Sequence, residues 1–128
     1  RRDAAMTTMD TAKIAELLVT RCREGKYVEA ITELYAPDVR QFENGVEVPG
    51  GRDALVTACR GWVASRVIHQ NTILGQHVTV DAIVLEMEYD VTPNATNTQR
   101  HQWREAAVYR VAGGTITDVR FYYKPPAS

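Results

Sequence analysis

The chain has 128 residues, a formal net charge of −1 and 45% hydrophobic residues, which fits one domain that buries roughly two thirds of its surface without disulfides or a structural metal. No clustered basic face is present, so nothing suggests a nucleic-acid partner. No apolar run approaches the ~20 residues that span a bilayer, and no secretory signal is visible.

Residues 1–9 read as a leader or expression remnant, with Met6 a candidate native start. One domain over 10–124 follows, then a tail at 125–128. Asp10 or Thr11 can cap a helix whose apolar positions, Ile14, Leu17, Leu18 and Cys22, recur at helical spacing. Gly25 suits a left-handed C-terminal cap. Val28, Ile31, Leu34 and Tyr35 form the stripe of a second helix that Pro37 stops. Val39 to Glu43 is a short strand, closed by turn signals at Asn44-Gly45 and Pro49-Gly50-Gly51. From Arg52 a third helix places Leu55, Ala58, Cys59, Trp62 and Val63 on one face. Cys22 and Cys59 both fall on apolar helix positions and read as buried reduced thiols, which makes a reducing cytoplasm the expected compartment.

After Arg66 the period changes to two. Val67 to Val80 is one strand, bent at Gly75. Asp81 to Val91 alternates, with Ile83, Leu85, Met87, Tyr89 and Val91 on one face and Val84, Glu86, Glu88 and Asp90 on the other. Thr92 to Thr98 is a loop. Gln99 to Val111 alternates again, Gly113-Gly114 is a hairpin turn, and Thr115 to Tyr123 is the last strand. Helices first and strands afterwards give the α+β class. The predicted architecture is a cone-shaped α+β barrel. Three N-terminal helices pack on a curved, mostly antiparallel sheet with a hollow at its open end.

Several strings resemble a known family. Leu34-Tyr35-Ala36-Pro37-Asp38 and Gly51-Arg52-Asp53-Ala54-Leu55 are similar to the helix–strand–helix of the nuclear-transport-factor-2-like superfamily. Tyr89-Asp90-Val91-Thr92, Glu105 to Val111, Gly114-Thr115-Ile116 and Phe121-Tyr122-Tyr123 resemble its SnoaL-like, polyketide-cyclase-like branch. The resemblance spans about residues 10–124. It implies the fold above, but that superfamily hosts isomerases, cyclases, dehydratases, an epoxide hydrolase and non-catalytic binders, so it does not name a reaction.

Strand parity supplies candidate site residues. Trp103, Glu105, Ala107, Tyr109 and Val111 share one face, and Arg100, Gln102, Arg104 and Arg110 the other. The first set is apolar or aromatic apart from Glu105 and is assigned to the interior. Thr117, Val119, Phe121 and Tyr123 share a face of the last strand unless a bulge shifts it, and Gln41 accompanies Glu43. The resemblance to ketosteroid isomerases puts their proton-shuttling carboxylate at Glu43. It puts Leu18 and Ala107 where their oxyanion-hole donors stand, which argues against steroid isomerase activity. The Asp–Arg–Asp set of the epoxide hydrolase is not matched, because Arg104 points outward by parity and Phe121 stands at the second Asp. SnoaL-like relatives often carry a histidine at the place of His69.

The expected catalytic set is therefore Glu43, His69 and Glu105. The expected pocket wall is Gln41, Trp62, Trp103, Tyr109, Val119, Phe121 and Tyr123. Two carboxylates in a dry pocket disfavour each other's ionisation, and a histidine beside them could relay a proton near a carbonyl. For each residue a plainer role stays open. Glu43 is solvated before its turn, Glu105 is half of a structural pair, or His69 is an ordinary half-buried histidine. Three scattered histidines lack metal-ligand spacing, and no cofactor motif is present. Two functions follow. One is a cofactor-independent acid–base enzyme of isomerase, cyclase or dehydratase type acting on a small hydrophobic molecule. The other is a non-catalytic ligand-binding or dimerisation module of the same fold. A homodimer through the outer strand face of Val84, Arg104, Ala106 and Val108 is expected either way.

Overall fold

The computed structural model describes residues 9–125. Its elements run α1 (Thr11–Arg23), α2 (Tyr27–Leu34), β1 (Tyr35–Glu43), β2 (Val46–Val48), α3 (Gly51–Ala64), β3 (Arg66–Val78), β4 (Ala82–Pro93), β5 (His101–Ala112) and β6 (Thr115–Tyr123). The expected leader through residue 8 and the tail from residue 126 lie outside the described residues.

Local signals account for most boundaries. The Asp10 side chain accepts a hydrogen bond from the Lys13 amide at 2.8 Å, which satisfies one of the free N–H groups opening α1. At the other end Gly25 takes φ +73°; its N–H reaches the Cys22 carbonyl and that of Lys26 reaches Arg21. This is the reciprocal pair of a Schellman cap, and it turns the chain straight into α2. The second helix ends one residue sooner than its apolar stripe predicts. Tyr35 is already the first residue of β1, which begins well before Val39. Pairing is broken between Tyr35 and Arg40, where Pro37 has no N–H to give to a ladder.

The sheet has six strands in the order β2-β1-β6-β5-β4-β3. Four of its five pairings are antiparallel and β1–β6 is parallel. β2 and β3 are its edges, so the sheet is open and mixed; it is mostly antiparallel as expected, but its strands do not close into the cone-shaped barrel expected from sequence. The residues Val46–Val48 make too short a strand for alternation to reveal, and they pair with β1 and not with β3. Register shifts in β3 fall between Ile68 and Gln70 and between Ile73 and Gly75, the second where the bend was expected. A further shift leaves Thr117 unpaired between Ile116 and Asp118, which keeps both Ile116 and Val119 fully buried.

All three helices contribute to one core with the inner face of the sheet. Ile14, Leu18 and Leu34 meet Ile83, Leu85 and Ile116 there. The opposite face carries the expected acidic row, and each acid is paired: Glu86 with His77, Glu88 with Arg104 and Asp90 with Arg100. Arg100 holds the Asp90 carboxyl down to about 2. Among the described residues, no helix is long and apolar enough to cross a membrane.

The seat of α3 on β1 depends on Gly51. Its φ is +72°, and a Cβ there would meet the Pro37 carbonyl oxygen at 2.7 Å. Gly51→Ala therefore combines left-handed strain with a backbone clash and should cost about 1–3 kcal/mol. Urea melts of the two proteins would measure it; a loss under about 0.5 kcal/mol would show that α3 is not held at this contact.

Candidate functional site

Between the helices and the inner face of the sheet lies a cavity of about 860 Å³. The helices give it an apolar wall that includes Leu18, Cys22, Ile31, Leu55 and Cys59. Alternation on β5 brings Trp103, Glu105 and Tyr109 to the same space, and β6 adds Phe121 and Tyr123. Exposed His101, Gln102, Lys124 and Pro125 form its rim.

An aromatic cluster makes one flank. Trp103 stacks on Tyr89 at 5.1 Å and 20°, and His101 continues the stack at 5.4 Å. Trp62 stands edge-on to Tyr27, Tyr89 and Trp103 at 6.1, 5.7 and 6.5 Å. These are offset and edge-to-face geometries that aromatic quadrupoles favour.

The polar residues gather beside this cluster, across three adjacent strands. Glu43 on β1 lies beside Phe121, and Glu105 on β5 lies beside Tyr123, so β6 separates the two acids. The Tyr123 hydroxyl donates to Glu43 Oε1 at 2.8 Å, and Gln41 Nε2 donates to Glu43 Oε2 at 2.9 Å. Glu105 Oε1 accepts from the Trp103 indole N–H at 3.0 Å, and no other donor within the chain reaches the Glu105 carboxyl among the described residues. Burial pushes the Glu105 carboxyl up to about 7. The Trp103 bond pulls it down, and the charge of Glu43 adds to the rise. Burial, then the bond to Glu43, pushes the Tyr123 phenol up to about 12. Burial does the same to the Cys22 thiol, also about 12, which leaves it a poor nucleophile. Both cysteines are free, as expected, although Cys59 is only half-buried.

Of the predicted site residues, Glu43, Glu105, Gln41, Trp62, Trp103, Tyr109, Phe121 and Tyr123 all line this cavity. His69 does not. It lies on the exposed part of β3, bonds Thr92 Oγ1 at 2.7 Å, and borders a separate, smaller pocket. The bulge after Ile68 removes it from the alternation that would have turned it inward. Val119 is on the inner face but fully buried beneath the cavity floor, so it is core and not wall. Arg104 turns outward and donates to Glu88 at 3.0 Å, as parity implied. Leu18 and Ala107 are both buried and offer no side-chain donor to a ligand.

Sequence reasoning missed Tyr27 and Tyr89 as wall residues. Tyr27 could have been found: with Ala30, Ile31 and Leu34 it completes the α2 stripe at helical spacing.

A domain model described as "SnoaL-like domain" matches residues 15–119, and the chain belongs to that family. Its fold is of the nuclear-transport-factor-2-like kind. Among solved structures, a protein from Mesorhizobium loti, provisionally named a SnoaL-like polyketide cyclase, is 31% identical with a TM-score of 0.78 and covers 90% of this chain and 100% of its own. AclR from Streptomyces galilaeus, provisionally a hydroxylase, is 15% identical with a TM-score of 0.71, covering 89% of this chain and 90% of its own. A protein of ketosteroid-isomerase-like fold from Catenulispora acidiphila, solved with trimethylamine, is 19% identical with a TM-score of 0.70, covering 91% of this chain and 87% of its own. The last two are likenesses of fold alone. No functionally curated protein matches the chain.

The ionisation of Glu105 sets a stability profile. Its folded-state pKa, about 7, lies above the ordinary 4.5, so the unfolded chain gives up this proton first. The stability carried by the protonated form is complete below about pH 4.5 and is lost as pH rises through about 7. Glu105→Gln should therefore match the wild type near pH 4 and exceed it at pH 8 by up to roughly 3 kcal/mol. Denaturant melts at both pH values test this. A loss of about 3–5 kcal/mol at pH 8 would instead identify Glu105 as half of a buried ion pair.

Proposed function

We propose that the chain is a cofactor-independent acid–base enzyme that moves a proton next to a carbonyl group in a small hydrophobic molecule. The observation that carries this reading is a pair of carboxyls in one apolar cavity whose surroundings differ. Two donors serve Glu43, whereas Glu105 has a single donor and a strongly raised pKa. Environments that separate two carboxyls in this way also separate their roles. Glu43 acts as base and takes a proton from the carbon beside the carbonyl. The C–H electron pair becomes the new C=C bond, and the carbonyl π pair moves onto oxygen. Neutral Glu105, through its free Oε2, donates its proton to that oxygen. Return of the proton from Glu43 to the other face of that carbon, or to the far carbon of a conjugated enol, and of the hydroxyl proton to Glu105 completes an isomerisation with no net change in either acid. Tyr123 and Gln41 hold the Glu43 carboxylate in place and leave it lone pairs for the transfer. His69 has no part in this scheme.

A second reading, a non-catalytic binding module, has one observation in its favour. Leu18 and Ala107 leave the cavity without the two fixed donors that isomerase relatives bring to an oxyanion. Deuterium uptake by a panel of cyclic ketones, followed by NMR, separates the two. Exchange should fall at least about 100-fold in Glu43→Gln and in Glu105→Gln. It should also decline as pH rises through about 7, where the Glu105 proton is lost. Ketones that bind but exchange no faster than in buffer would leave binding as the function.

The same reading takes residues 10–124 as one functional unit in a reducing compartment such as the cytoplasm, where both thiols stay free. It also pairs two copies through the outer strand face. Half-buried Val84, Ala106 and Val108 lie there beside Tyr122, which is 47% exposed. Light scattering at micromolar concentration should give twice the chain mass, and Val108→Arg should return it to one chain mass. A monomeric wild type would remove the dimer from this proposal.

A further inference from the structure

Arg66 begins β3 immediately after α3, and neither the carboxyl chemistry nor the outer ion pairs use it. Its guanidinium lies over the Trp62 ring at 4.3 Å from the centroid. Nε donates to the Trp62 carbonyl oxygen at 2.8 Å, and Nη2 donates to Ser65 Oγ at 3.1 Å. The head is therefore fixed in orientation, while Nη1 donates to nothing among the described residues.

Its electrostatic situation is unusual for this sheet. Arg40, Arg100, Arg104 and Arg120 each hold a carboxylate, and Arg110 is exposed. Arg66 is half-buried and has no carboxylate partner among the described residues. Burial lowers its pKa, and no neighbouring acid raises it. A partly desolvated guanidinium with a free donor edge is poised for a planar oxyanion, which it can grip with parallel hydrogen bonds.

Position adds a second argument. Arg66, Tyr27 and Cys22 line both the main cavity and a smaller one of about 330 Å³. The smaller one is polar, with Arg23, His69, Gln70 and Asn71 in its wall. Glu24 also borders it but is already paired with Arg21 and Lys26. The Asn71 amide oxygen is buried there without a partner. Its nitrogen makes a 3.9 Å contact to Met87 sulfur, and the side chain also bears on the Tyr27 hydroxyl, a residue that lines both cavities.

We propose that Arg66 anchors an anion subsite at the junction of the two cavities, and that the ligand is an apolar body carrying a carboxylate or similar planar oxyanion. The body occupies the main cavity, and the head lies against Nη1 of Arg66 with Asn71 nearby. This rests on the reading that the main cavity receives an apolar body, and it adds the class of molecule. A cap on the carbonyl end of α3 is the competing role for Arg66, since it donates to a last-turn carbonyl. That role gives no preference among ligands.

The test uses two probes of one shape, 2-naphthoate and neutral 2-naphthamide, titrated calorimetrically into the full chain at about pH 6, where Glu105 is mostly uncharged. Naphthoate should bind at least about tenfold more tightly. Arg66→Gln should erase that preference and leave naphthamide within about twofold, while Arg66→Lys should keep part of it. Equal binding of both probes by the wild type overturns the subsite and leaves the apolar cavity standing. So does a preference that survives Arg66→Gln, or a variant that weakens both probes alike. Binding of neither probe removes the cavity reading itself and the subsite with it. Should Arg66→Gln fail to fold, the wild-type comparison and Arg66→Lys still decide.

Discussion

A carboxyl group shielded from water must find a cation, find several donors, or stay protonated. Glu105 takes the third course. β5 sets it facing a cavity walled by aromatic and aliphatic side chains, and the described residues supply it one indole N–H and no ion pair. The arginines that could have neutralised it are spent on the other side of the sheet, where Arg104 and Arg100 meet Glu88 and Asp90. This segregation follows from the two-residue period of a strand. It raises the carboxyl of the interior acid and, through Arg100, lowers that of Asp90 outside. The remaining polar features of the cavity, the Tyr123–Glu43–Gln41 chain and the aromatic flank, are arranged around that neutral group.

The aromatic flank contributes in two ways. Tyr27, Trp62, Tyr89 and Trp103 come from α2, α3, β4 and β5, so their mutual contacts tie the helical layer to the sheet beside the rim. They also keep the cavity from collapsing, because rings locked edge-on and face-on cannot swing inward to fill it. A void of this size lined by Leu, Ile and Cys alone would lose dispersion contacts with nothing to resist its closure.

Period was the most readable part of the sequence. The alternation of Ile83 to Val91 and of Trp103 to Val111 is the buried pattern of the sheet, and it brought Glu105, Trp103 and Tyr109 to the cavity by parity alone. Glu43 came from resemblance, and the hydrogen bond from Tyr123 is the geometry that gives the position meaning. What parity could not reveal was interruption. One bulge takes His69 off the inner face, another leaves Thr117 unpaired, and neither is marked by a glycine or proline at the site. Arg66 was invisible for a related reason. It stands where a helical period ends and a strand period begins, and there neither rule says which way a side chain turns. The open edge of the sheet was equally hidden, because closure depends on which strands pair, and alternation describes only each strand by itself.

The parallel pairing of β1 with β6 has a consequence for how the molecule is put together. Glu43 and Tyr123 touch across 80 positions of sequence, and the strand between the two acids is the last in chain order. Contacts this distant in sequence carry a large loop-closure cost that must be met before any of their energy is gained. The meander β3-β4-β5 can zip through neighbouring hairpins, and α1 and α2 are joined by a turn, but β1 keeps an unpaired edge until β6 arrives. The polar flank of the cavity is therefore a late product of folding. Synthesis delivers β1 long before its partner, and for that interval a strand edge and an apolar interior are both uncovered.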